Sequence, residues 1–120
     1  MAAPRVAVLA DDLIWSTRLV DQLRTVGAEP VHARTAGAFD EALASAGGAV
    51  VDLTARTYDG IAAIERAAAA GVPVIAVGQH DDLAIRRKAL DAGAERVYAY
   101  RKLFEDGPRT LEAWLAAVGR

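Results

Sequence analysis

The chain has 120 residues, with 14 lysines and arginines against 16 aspartates and glutamates, a formal charge of −2, and 53% apolar residues. This length and composition predict one folded domain over residues 1–120, and the charge argues against a nucleic-acid binder, which would show a basic excess. Because the chain has no cysteine, no signal-like leader and no apolar run of the roughly 18 residues that a membrane span needs, we expect a cytoplasmic protein without disulfide bonds.

Five short apolar runs alternate with five helical patterns along the chain. The predicted strands cover residues 6–10, 30–34, 49–53, 72–77 and 96–100. The predicted helices cover residues 13–26, 38–46, 61–70, 82–92 and 108–118. Gly27, Gly71 and Gly93 follow three of these helices and are typical helix stops. In the fourth helix the apolar spacing predicts an inward face made of Leu83, Ile85, Ala89 and Leu90.

The order of these elements predicts the fold class. Strands that are apolar on both faces and separated by helices indicate a parallel sheet covered on both sides. Five such units in this length favour an α/β fold of the flavodoxin-like, doubly wound class, with a five-stranded parallel sheet in the order 2-1-3-4-5 and five helices.

Three carboxylates follow two strands that this order makes neighbours. Asp11 and Asp12 come directly after the first predicted strand, and Asp52 lies at the end of the third. In such sheets, ligands bind outside the carboxyl ends of the strands. Carboxylates that meet there repel one another and favour a hard cation such as Mg²⁺. Asp12 is also well placed to cap the first helix.

Several short motifs, in this order and spacing, resemble the receiver domains of two-component response regulators over essentially the whole chain. They are VLADD at residues 8–12, VVDL at 50–53, DG at 59–60, GVPVI at 71–75 and AGA at 92–94. The resemblance implies that Asp52 accepts a phosphoryl group. It also implies that Asp11, Asp12, Asp52 and the backbone carbonyl of Thr54 bind Mg²⁺.

Two positions depart from the receiver pattern. The family has a serine or threonine at the end of strand four, where this chain has Gly78. It has a lysine at the end of strand five, where this chain has Tyr100, with Lys102 two residues further on. Lys102 would reach the site only if the strand ran longer, because a two-residue shift keeps a side chain on the same face. The resemblance is therefore to an atypical receiver whose phosphate-sensing residues are degraded.

The family uses its fourth helix, fifth strand and fifth helix for contacts with partners. By that resemblance Arg86, Arg87, Tyr98 and Arg101 are candidate interface residues, and aromatic and arginine side chains are common at interfaces. Trp15, just after the acidic pair, is expected either to shield the site or to pack in the core.

These observations favour a receiver-type signalling module of a phosphorelay, not an enzyme. Its implied partners are a histidine kinase or phosphotransfer protein and a separate effector protein, and a homodimer is a further expectation. One alternative is a docking or dimerisation domain that works without phosphorylation. Another is a small-molecule-binding flavodoxin-like domain, which the absence of any glycine-rich phosphate loop disfavours.

Overall fold

The computed structural model describes residues 3–79 and 81–118, apart from the side chain of Phe104. Strands β1 to β5 are Arg5–Leu9, Glu29–Ala33, Gly48–Asp52, Val74–Gly78 and Arg96–Ala99. Helices α1 to α5 are Leu13–Thr25, Ala36–Leu43, Gly60–Ala69, Leu83–Ala92 and Tyr100–Val118. The five strands form one parallel sheet in the order β2-β1-β3-β4-β5, which confirms the predicted fold class and strand order.

Alternate residues of the central strands face two separate cores. In β1, Ala7 and Leu9 pack with α2, α3 and α4 on one face of the sheet, whereas Val6 and Val8 pack with α1 and α5 on the other. All five residues of β3 and of β4 are buried. Burial on both faces explains why these strands are continuous apolar runs in the sequence.

The end of the sheet differs from the prediction at β5. This strand stops at Ala99, and Tyr100 already belongs to a helical segment. A second segment begins after a kink at Asp106, whose backbone is not helical, and it includes the predicted helix over residues 108–118. The short first segment was not predicted, because its sequence has no apolar periodicity of its own.

The inward face predicted for α4 is wrong in part. Leu83 and Leu90 are 71% and 43% exposed, whereas Ala89 is buried. Ala89 is the one buried residue of this helix, which covers the sheet with a narrow stripe only. Two leucines are therefore left on the outer surface beside β5.

None of the helices within the described residues combines the length and apolarity that crossing a bilayer requires.

A glycine pair at the start of β3 tests the packing of the core. A Cβ atom on Gly48 would lie 2.8 Å from the indole of Trp114, whereas one on Gly47 would have its nearest neighbour at 3.7 Å. Gly48→Ala should therefore lower the free energy of unfolding by about 1–3 kcal/mol through overpacking. Urea denaturation measures this loss, with Gly47→Ala as the matched control that should be close to neutral. Equal effects of the two substitutions would contradict the packing described here.

Candidate functional site

The carboxyl ends of β1, β3, β4 and β5 meet at one edge of the sheet. β1 is followed by Asp11, β3 ends at Asp52, β4 ends at Gly78, and Tyr100 comes directly after β5. Because the strands are parallel and β3 lies between β1 and β4, these residues lie along the same rim. The sequence predicted that the acidic residues gather at this edge because the strands before them are neighbours. In the structure these strands, β1 and β3, are paired.

Asp52 is completely buried, with 0% of its surface exposed. Its Oδ1 atom accepts hydrogen bonds from the backbone N–H of Thr54 at 2.9 Å and from the Thr54 hydroxyl at 2.8 Å. Its Oδ2 atom is also buried and has no hydrogen-bond partner within residues 3–79 and 81–118. A buried acceptor without a donor costs about 1–3 kcal/mol, and more when it is charged. The fold therefore keeps an unsatisfied carboxylate oxygen at this point at the expense of stability.

Tyr100 covers this carboxylate through Thr54. The Thr54 Oγ1 and Tyr100 hydroxyl oxygens lie 3.0 Å apart. Thr54 has one hydroxyl proton, which goes to Asp52, so Tyr100 is the donor in this contact. Burial and the nearby carboxylate of Asp52 raise the pKa of the Tyr100 phenol above its ordinary value. Tyr100 therefore keeps its proton and remains a donor.

The ring of Tyr100 is held by an aromatic stack. It lies on the indole of Trp15 with ring centroids 4.3 Å apart and an angle of 24° between the planes. The guanidinium of Arg18 lies 5.7 Å from the centroid of Trp15, within the range of a cation–π contact. Asp12 begins α1 by accepting a hydrogen bond from the backbone N–H of Trp15 at 2.9 Å, which places Trp15 in the first turn. Of the two roles considered for Trp15, this contact favours the one that shields the site.

Tyr58 and Thr57 tie the loop after β3 to the same rim. The Tyr58 hydroxyl lies 3.0 Å from the carbonyl oxygen of Leu9 and 2.6 Å from that of Asp52, so its one proton is shared between the ends of β1 and β3. The Thr57 hydroxyl donates to Asp11 Oδ2 at 2.6 Å. Burial and the charges of Asp52 and Asp11 raise the pKa of the Tyr58 phenol.

The predicted metal ligands are only partly assembled. Asp12 is exposed and uses Oδ1 to cap α1, while Asp11 accepts from Thr57. Within residues 3–79 and 81–118, no three histidine, aspartate or glutamate side chains are grouped as a metal site. The oxygen chemistry nevertheless suits Mg²⁺, and the unpartnered Oδ2 of Asp52 is an oxygen that a cation would satisfy.

The two departures from the receiver pattern have different outcomes. Gly78 is buried and offers no side chain, although a Cβ atom there would meet only Leu53, at an ordinary 3.6 Å. Lys102 lies on α5, and its Nζ atom is 3.5 Å from Asp106 Oδ2. The suggestion that a longer β5 carries Lys102 into the site is therefore wrong, because the strand ends three residues before it.

Sequence reasoning missed three side chains of the site. It considered only the backbone carbonyl of Thr54, whereas the hydroxyl of this residue binds Asp52 and Tyr100. It gave no role to Thr57 or Tyr58. The only sequence signal for these two residues was their position in the loop that follows β3. Apolar periodicity does not predict the path of a loop.

Two of the candidate interface residues, Arg86 and Tyr98, line one groove beside β5. Arg86 and Arg87 are exposed on α4, Tyr98 is half-buried on β5, and Arg101 is exposed on α5, 2.9 Å from Glu105. A groove of about 420 Å³ runs between α4 and β5 and is lined by Arg86, Leu90 and Tyr98 among others. With the exposed leucines of α4, this surface is both apolar and basic.

No protein-family model matches the chain, and no curated protein sequence matches it. Several solved structures match its fold. The receiver domain of the sensor histidine kinase PA1611 from Pseudomonas aeruginosa is 19% identical with a TM-score of 0.80, covers 96% of this chain and 99% of its own, and is described with a magnesium ion coordinated in its active site cleft. A putative response regulator from Chloroflexus aurantiacus is 17% identical with a TM-score of 0.81, and the match covers 95% and 98% of the two chains. The BeF3-activated DrrB receiver domain is 18% identical with a TM-score of 0.79 and 97% coverage of both chains.

The chain therefore has the fold of response regulator receiver domains, along nearly its whole length. At these identities the likeness defines the fold, and the chemistry has to be argued from the residues at the rim.

The raised pKa of Tyr58 predicts a dependence of stability on alkaline pH. The unfolded chain ionises tyrosine near its ordinary pKa of about 10, whereas the folded site holds the proton. This stabilisation is fully present below the unfolded pKa and is lost as the pH rises above it. Urea denaturation from about pH 9 to about pH 11 should show a falling free energy of unfolding, and Tyr58→Phe should make that fall shallower. An unchanged slope in Tyr58→Phe would contradict the assignment.

Proposed function

We propose that the chain is a receiver-type signal-transduction module that works through contacts with other proteins in a phosphorelay. The observation that carries this proposal is the buried Asp52 at the carboxyl end of the central strand, in a fold shared with receiver domains. Its partners would be a histidine kinase or phosphotransfer protein and a separate effector.

Asp52 is the proposed phosphoryl acceptor. One oxygen of its carboxylate forms a bond to phosphorus while the bond between phosphorus and the donor breaks. Asp11, Asp12, Asp52 and the carbonyl of Thr54 would hold Mg²⁺, which would neutralise the charge on the transferred group. Thr54 fixes the orientation of the carboxylate through Oδ1, so that Oδ2 is the oxygen left without a partner.

A second candidate function is a docking domain that needs no phosphorylation. Gly78 brings no hydroxyl to the site, and Lys102 is turned away to Asp106. A phosphoryl group shifts a conformational equilibrium only by as much as it binds one state better than the other. The loss of both usual contacts, together with the closed cover over Asp52, favours this alternative.

Intact-mass spectrometry after incubation with acetyl phosphate and Mg²⁺ separates the two candidates. We expect the mass of one phosphoryl group to be added to the native chain and to the control Asp91→Asn, whose carboxylate lies on the exposed side of α4. Asp52→Asn should abolish the addition. No addition with acetyl phosphate or with a phosphorylated histidine donor would exclude the acceptor role and leave the docking function.

The surface of α4 and β5 is the proposed contact surface. Its apolar part is Leu90, which lines the groove, and Leu83, which lies seven residues earlier on α4 and is 71% exposed. Basic side chains around these leucines, including Arg86 and Arg87, would select an acidic or self-complementary partner.

Sedimentation measures whether this surface joins two copies of the chain. Leu83→Lys should abolish a concentration-dependent dimer, because it puts a charge into the apolar contact. Leu13→Lys is the matched control, since Leu13 is 68% exposed at the start of α1 and outside this surface. A native chain that stays monomeric at every concentration would exclude self-association as the role of the surface.

A further inference from the structure

Asp52 is separated from the solvent by a small number of side chains. A cavity of about 550 Å³ lies at this rim and is lined by Trp15, Thr54, Gly78 and Tyr100 among others. Asp52 is not part of its lining and is 0% exposed. The residues that bind or cover Asp52, namely Thr54 and Tyr100, are therefore also the wall of the cavity.

Two interactions hold this wall closed. The phenol of Tyr100 donates to Thr54, which in turn donates to Asp52. The ring of Tyr100 rests on Trp15, which is itself covered by Arg18. The hydrogen bond fixes the tip of the side chain and the stack fixes its plane, so the two act on the same side chain independently.

We propose that Tyr100, stacked on Trp15, is a gate that blocks access to Asp52. The side chain of Tyr100 has to turn into the adjoining cavity before this carboxylate can react. Tyr100 is thus a positioning residue, and it stands where receivers have a lysine. The role in phosphoryl transfer rests on the proposed function, whereas the gate itself does not.

The surroundings of Tyr100 leave room for this movement. Gly78 and Ala99, the last residues of β4 and β5, line the same cavity, and the first has no side chain while the second has only a methyl group. Tyr100 is the first residue of a helical segment, so its side chain is not enclosed by a preceding helical turn.

The absence of cysteine from the chain allows a direct test of access. Asp52→Cys places a single thiol at the acceptor position, and its reaction rate with a disulfide reagent such as dithionitrobenzoate measures how often the gate is open. Adding Tyr100→Phe removes the hydroxyl and keeps the stack, and the rate should rise about fivefold, the equivalent of one hydrogen bond. Adding Tyr100→Ala removes both, and the rate should rise about tenfold or more.

Two further variants distinguish opening of the gate from a general loss of stability. Trp15→Leu removes the stack without touching Asp52 and should also raise the rate. Thr25→Val, which removes a hydroxyl at the far end of α1 from Trp15, should leave it unchanged. Urea denaturation of each variant gives the rate that global unfolding alone allows, and Tyr100→Phe is the variant expected to remain well folded. A thiol that reacts equally fast with and without Tyr100 would overturn the gate.

The native carboxylate distinguishes the gate from the acceptor role. With acetyl phosphate and Mg²⁺, the rate of phosphoryl addition should increase from the native chain to Tyr100→Phe and again to Tyr100→Ala. Faster thiol reaction without phosphoryl addition in any variant would support the gate and overturn the acceptor role of Asp52. Phosphoryl addition that is equally fast in all variants would overturn the gate and support the acceptor role.

Discussion

The burial of one carboxylate is the constraint on which the architecture of the rim depends. Asp52 ends the central strand of a sheet that is covered on both faces, so water cannot solvate it. A buried carboxylate needs donors nearby, and the two that bind it come from a single residue, Thr54, two positions later. The remaining polar residues of the rim are arranged around this pair. Tyr58 links the backbones of the two strand ends, and Tyr100 supplies a donor from the far side.

The described side chains that bind or cover Asp52 are neutral. A lysine would offer a mobile positive charge to Asp52, whereas Tyr100 offers a phenol and a flat ring. The ring excludes water and the hydroxyl satisfies Thr54, so the same residue stabilises the closed arrangement in two ways. The unpartnered Oδ2 of Asp52 shows that this arrangement does not fully satisfy the carboxylate. The site is thus closed over a carboxylate of which one oxygen has no hydrogen-bond partner among the described residues.

The sequence predicted the features of the fold that follow from burial. It did not predict the side-chain contacts that depend on the detailed geometry of the loops and helices. β1, β3 and β4 were recognisable because strands buried on both faces must be apolar throughout. The strand order followed from the class of fold, and with it the position of Asp52 beside β1. The exposure of Leu83 was missed, because apolar spacing shows a helix face without showing how much of it the sheet can cover. The hydroxyl of Thr54 and the stack of Tyr100 were missed because a hydrogen bond and a ring contact depend on the paths of two loops.

Helix α1 carries more than the acidic cap. Gln22, seven residues after Trp15 and so on the same side of the helix, donates from Nε2 to the carbonyl oxygen of Leu103 at 2.7 Å. The first segment of α5, which begins with Tyr100, thus contacts α1 at two points, through the ring of Tyr100 and through the backbone carbonyl of Leu103. These two contacts couple the position of α1 to the position of that segment. A change in the position of α1 would therefore alter the aromatic contact that covers Asp52.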